Sequence, residues 1–113
     1  MALILLTRRN VAALKSSLLK AFPDIGSGHA DEALASGIGF RTHAALLAAL
    51  KAQGGGQVTV LLNEQTVGRR VKELTGNEPE LLQLSTALWI VLPDPTENRL
   101  GIGDWWRHVA NEN

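Results

Sequence analysis

The sequence predicts an α+β fold: an N-terminal layer of three helices packed with a small sheet of two or three strands and a further helix. Three observations carry this. Up to residue 53 the apolar side chains recur at the three- and four-residue spacing of helices. Three consecutive glycines at 54–56 then interrupt the chain. Beyond them β-branched residues gather in short runs of strand length. At 113 residues the chain is expected to be a single domain. It divides into a helical part over 1–53, a glycine-rich link over 54–56 and a mixed α/β part over 57–113.

The elements follow in order. Residues 2–6 are apolar, but no basic residue precedes them, and the run is too short for a signal peptide or a membrane span. Thr7 is placed to cap the first helix, with Leu6 before it as a hydrophobic staple. Val11, Leu14, Leu18 and Phe22 share one helical face, so 8–22 reads as an amphipathic helix that Pro23 ends. Its outward face carries Arg9, Lys15, Ser16 and Lys20. "PDIGSG" is a turn-rich link, and "HADEALASGIGFRTHAALLAAL" (29–50) reads as two helices broken near Gly37 and Gly39. "QVTVLL" (57–62) reads as a strand. Asn63 caps a helix through "EQTVGRRVKEL", with Val67, Val71 and Leu74 inward and Gly76 as its stop. Pro79 opens a short helical turn, "PELLQLS". "ALWIVLP" (87–93) reads as a second strand, apolar enough to be central or covered on both faces. "DPTENRLGIG" is a loop, and "DWWRHVANEN" closes the chain as a helix capped by Asp104 or as a tail.

Composition narrows the chemistry. With 45% hydrophobic residues the chain can build a core without staples, and it has no cysteine, so disulfides, thiolate catalysis and cysteine zinc sites are excluded. A soluble, cytoplasmic protein is the expectation. Net charge is zero, yet residues 1–56 carry six Lys/Arg against three acids and residues 57–113 five against eight. Halves of opposite sign fit two partners, or a second copy of the chain.

The helix pair has the spacing of a helix-turn-helix: Leu34, Ala35, Ile38, Gly39, Phe40, Ala44 and Ala45 fall where small, turn and anchor residues belong. Arg41, Thr42 and His43 would then open a recognition helix, and Arg8, Arg9, Lys15 and Lys20 would add a basic face for phosphate. Against this, no polar side chain stands between Ala44 and Leu50. A helix apolar all round is normally buried, which favours a helical hairpin in the core or in a dimer seam. Glu32, Ala35, Gly39, Phe40, Arg41 and Leu46 spell "E-x-x-A-x-x-x-G-F-R-x-x-x-x-L", which resembles the short helical segment of glyoxalase-superfamily-related small proteins. The same stretch is similar to uncharacterised small proteins of bacterial mobile elements. His29 stands two residues later than that pattern has its histidine, and His43 replaces an aromatic ring. The resemblance implies the helix pair and a phage or mobile-element origin, and no activity, because the chain is too short for a metal-binding glyoxalase module.

Other clusters read more plainly. His29, His43 and His108 match no metal-ligand spacing, so no metal or cofactor is expected. "GSG" at 26–28 lacks a feeding strand and the lysine of a phosphate loop. Arg69, Arg70 and Lys72 lie among Glu64, Glu73, Glu78 and Glu80, the composition of a solvated ion-pairing face. No serine or threonine has a base and orienter near it, so an enzyme is not expected. Trp105, Trp106 and Arg107 have the character of an interface anchor. The leading expectation is a non-enzymatic protein that inhibits or adapts a protein or nucleoprotein complex, for example as an anti-defence protein, with no membrane role. The alternative is a DNA-binding regulator using the helix pair, as a dimer.

Overall fold

A computed structural model of the chain describes residues 1–53 and 58–95, with Gln53 described by its backbone alone. The described elements run β1 (Ala2–Leu5), α1 (Arg8–Ala21), α2 (Ser27–Ile38), α3 (His43–Gln53), β2 (Thr59–Leu62), α4 (Glu64–Thr75) and α5 (Leu81–Leu88). The α+β class and the three-helix N-terminal layer are those the sequence predicts. The sheet has two strands among the described residues. β1 and β2 pair antiparallel, with Ala2 opposite Leu62 and Ile4 opposite Val60.

Two elements differ from the sequence reading. The run at 2–5 is a strand, although it lies in the stretch read as helical. All four of its residues are apolar, so it carries no alternation to betray a period of two. Ala2 and Ile4 turn into the core, while Leu3 and Leu5 lie half-buried on the other face. The second difference is at 87–93, read as a strand. Its first two residues instead complete α5, in which Leu84, Ala87 and Leu88 are buried at the i, i+3, i+4 spacing of a helix face. Residues 89–92 then leave the helix without entering a sheet, burying Leu92 but leaving Val91 96% exposed.

Local chemistry sets the other boundaries. Thr7 caps α1, its Oγ1 accepting from the Asn10 N–H at 3.1 Å, and Asn63 caps α4 in the same way through the Thr66 N–H at 3.2 Å. Gly39 and Gly76 end α2 and α4 at φ of +105° and +80°, the left-handed region open to glycine at little cost. Between α2 and α3 the chain bends by 64°.

α2 is the central element. It packs against α1, α3, α4 and β2, and buries Ala30, Ala33, Leu34, Ala35, Gly37 and Ile38. Around it Ile4, Leu14, Leu18, Leu46, Leu62, Val67, Leu84 and Leu88 are closed from solvent. Each large aliphatic side chain so buried stabilises the fold by about 1.5–3 kcal/mol. Gly37 marks the closest approach: its C=O accepts the Asn63 N–H at 2.9 Å, and a methyl on its Cα would overlap Val67 Cγ2. No single helix among the described residues is long and apolar enough to cross a membrane. The bent α2–α3 pair has the length and composition alone.

Candidate functional site

The residues expected to meet nucleic acid do not form one open basic face. Arg8 and Arg9 open α1, and Arg9 Nη1 lies 3.3 Å from Asp94 Oδ1. Lys15, two turns on, donates to Asp31 Oδ1 at 2.9 Å. Lys20 stands exposed in the last turn of α1. The structure brings Lys15 and His43 together, but through a carboxylate: Asp31 on α2 also lies 3.8 Å from His43 Nε2. An anion arriving there meets the Asp31 charge first.

The start of α3 is likewise occupied by its own capping. The Thr42 hydroxyl accepts the Ala45 N–H at 3.0 Å, and Glu32 of α2 reaches across the turn to accept the His43 N–H at 3.1 Å. These bonds satisfy first-turn donors that would otherwise face solvent or a phosphate. Arg41 is exposed just ahead of the helix and forms no ion pair with a described residue.

The expectation that α3 packs within the chain's own core is corrected, which leaves a dimer seam as the other setting the sequence offers. Its inward side is a narrow strip, Leu46 and Leu50, with Ala49 half-buried. Ala44, Ala45, Leu47 and Ala48 stand in solvent, Leu47 at 43% exposure. The reason is topological. Among the described elements α3 packs chiefly against α2, and a helix packed mainly on one other can bury only one stripe. α2, with four neighbours, takes the buried role that the composition of α3 suggested. Sequence reasoning therefore missed the outward face of α3 as a surface. The signal that finds it is the shortage of covering elements for two consecutive apolar helices.

That face runs between two exposed cations, Arg41 ahead of the helix and Lys51 in its last turn, neither paired with a described carboxylate. It offers van der Waals contact along its length and charge at its ends.

The remaining candidates are dispersed. His29 Nδ1 lies 3.1 Å from the Ile25 C=O and is thereby held at the start of α2. Among the described residues no three His, Asp or Glu side chains converge as a metal site. Of the basic residues on α4, Arg70 pairs with Glu73 at 3.7 Å and Lys72 with Glu78 at 3.6 Å. Trp105, Trp106 and Arg107, the expected partner anchor, lie outside the described residues, as does His108. The chain matches no family model, no curated protein and no solved structure.

Proposed function

We propose that this chain is a small non-enzymatic binding protein, an inhibitor or adaptor of a protein or nucleoprotein complex, and that its partner docks on the outward face of α3. The observation that carries this reading is the row Ala44, Ala45, Leu47 and Ala48, exposed and apolar between Arg41 and Lys51. Contiguous apolar surface is costly to leave in water, and marks interaction sites when polar groups rim it. The small side chains let another backbone come close, and Leu47 supplies a knob for a groove. The partner surface that fits is an apolar helix face with carboxylates toward its two ends.

Reading of DNA by the helix pair is less well supported. Base edges are told apart by hydrogen bonds, and Ala44, Ala45, Leu47 and Ala48 have no side chain to make them. Arg9 and Lys15, needed for phosphate, face Asp94 and Asp31.

The test pairs the full chain with its Leu47→Glu variant. We expect no retention of random duplex DNA at low salt, and a captured protein partner whose affinity drops at least about tenfold in the variant. Circular dichroism should be unchanged, because Leu47 is already 43% exposed. A doubled solution mass abolished by Leu47→Glu would make the partner a second copy. Duplex affinity that falls steeply with salt, with Arg41→Ala costing more on one sequence than on random DNA, would replace this reading with the DNA-binding one.

A further inference from the structure

Arg69 is the one residue of the basic run on α4 that faces no carboxylate among the described residues. It lines a cleft of about 410 Å3 between α4 on one side and the start of α5 with the segment leading into it on the other, together with Gln65, Gly68, Lys72, Glu78, Pro79, Leu81 and Leu84. Gln65, Gly68, Arg69 and Lys72 are spaced i, i+3, i+4, i+7, so they share one face of α4. That face offers an amide, a guanidinium and an ammonium within a side chain's reach of one another. Gly68 floors the cleft: a Cβ there would come to 3.1 Å of Leu84 Cδ2 and 3.7 Å of Pro79 Cγ. The opposite wall is apolar, made by Pro79 and the 49% exposed Leu81, with the fully buried Leu84 behind them. Among the described residues that line the cleft Glu78 alone brings negative charge, and its carboxylate sits 3.6 Å from Lys72 Nζ in a loose pair, each partner more than half exposed.

We propose that this cleft binds an anionic group carried on an apolar body, a carboxylate or a phosphate on an aryl or alkyl frame. The site is independent of the α3 face. Arg69 presents a planar fork of donors, suited to two oxygens of one anion. Gln65 adds an amide donor, and the apolar body lies against Pro79 and Leu81. Glu78 is the built-in competitor: its carboxylate holds Lys72 until an incoming anion takes its place. The cleft volume falls in the range of small-ligand sites, about 300–1,000 Å3.

The competitor gives the test its signature. The full chain is titrated at low ionic strength with phenyl phosphate, benzoate and inorganic phosphate, and backbone amide shifts are followed by NMR. We expect saturable shifts at Gln65, Arg69, Lys72 and Leu81 with at least one of the two aryl probes, the better one identifying the head group. Inorganic phosphate should bind about tenfold more weakly, since it leaves the apolar wall wet. Arg69→Gln should weaken the aryl probe about tenfold, while Glu78→Gln should strengthen it severalfold by releasing Lys72. Both side chains are on the surface, and unchanged circular dichroism checks the fold of each variant. The proposal is overturned by the absence of saturable shifts with either aryl probe at 10 mM (about the weakest binding a small-ligand site warrants). It is overturned equally by shifts indifferent to Arg69→Gln, by a Glu78→Gln variant that binds more weakly, or by inorganic phosphate binding as well as the aryl probes.

Discussion

Asn10 shows how much one side chain can hold. It is fully buried and the only buried polar side chain among the described residues. Nδ2 donates to the Leu5 C=O at 2.9 Å and to the Asp94 C=O at 2.8 Å, while Oδ1 accepts the Asp94 N–H at 2.9 Å. The Asp94 carboxylate meanwhile accepts from the Thr7 hydroxyl at 2.7 Å and faces Arg9, against the first turn of α1, where negative charge is favoured. One amide thus ties the end of β1 to Asp94, which lies 84 residues beyond Asn10 itself. Replacing it with leucine would keep the volume but leave the Asp94 N–H and C=O without their partner, while the Leu5 C=O keeps the Thr7 N–H at 3.1 Å. An unsatisfied buried group costs about 1–3 kcal/mol, so we expect Asn10→Leu to lose about 3 kcal/mol in total and about 10 °C of Tm. Urea and thermal unfolding of the two proteins measure this, and a loss below about 1 kcal/mol would mean that water replaces the amide. The Thr7 cap was legible in the sequence because donor and acceptor lie three residues apart. The Asn10–Asp94 clamp was not, because nothing local announces a partner so distant.

At the scale of elements, the same contrast separates α4 from β1 and α5. α4 was readable at its cap, its glycine stop and the buried Val67 and Val71, all lying within fourteen residues, whereas Leu74, expected inward, is only half-buried. β1 has no period to read, and the run from Leu88 to Leu92 satisfies a strand pattern as well as a helix end. Only the supply of neighbours decides between them, and that is a tertiary fact. The glycines of α2 give a sharper test. Gly37 sits where α2 presses on α4, against the fully buried Val67 and the backbone of Asn63, so an added methyl must displace packed atoms. Overpacking costs about 1–3 kcal/mol and the gain in helix propensity returns about 1 kcal/mol at most. Gly28, in the first turn of the same helix, has nothing within 4 Å of its would-be Cβ. The same substitution should therefore change sign along one helix. Gly37→Ala is expected to lower the urea midpoint, and Gly28→Ala to raise stability by about 0.5 kcal/mol. Stabilisation by both would show that the α2–α4 contact is slack.

At the scale of the whole molecule, the two charge-opposed parts of the sequence are not separable layers. β1 comes from the first and pairs with β2 from the second; α2 packs on α4 and α1 on α5. The candidate surface on α3 belongs to the same topology, since α2 spends its faces on α1, α4 and β2 and is the main neighbour of α3 among the described elements. It could not be read from composition, which describes α2 and α3 alike as apolar. The interleaving also governs folding. Ile4, Leu14, Leu18 and Leu34 of the first part are covered by Leu62, Val67, Leu84 and Leu88 of the second. Cutting between residues 53 and 58 exposes both sets at once. Helices of eleven to fourteen residues are marginal in water without such cover, and a core halved in this way falls below what a small domain needs. Fragments 1–53 and 58–113 are therefore each expected to be unfolded alone, with weak helical circular dichroism and collapsed methyl dispersion by NMR. Mixed in equal amounts, they should recover the native spectrum to the extent that association offsets the lost chain connection. Native dispersion in fragment 1–53 by itself would show instead that the three N-terminal helices are an autonomous unit, with the β1–β2 pairing an accessory to it.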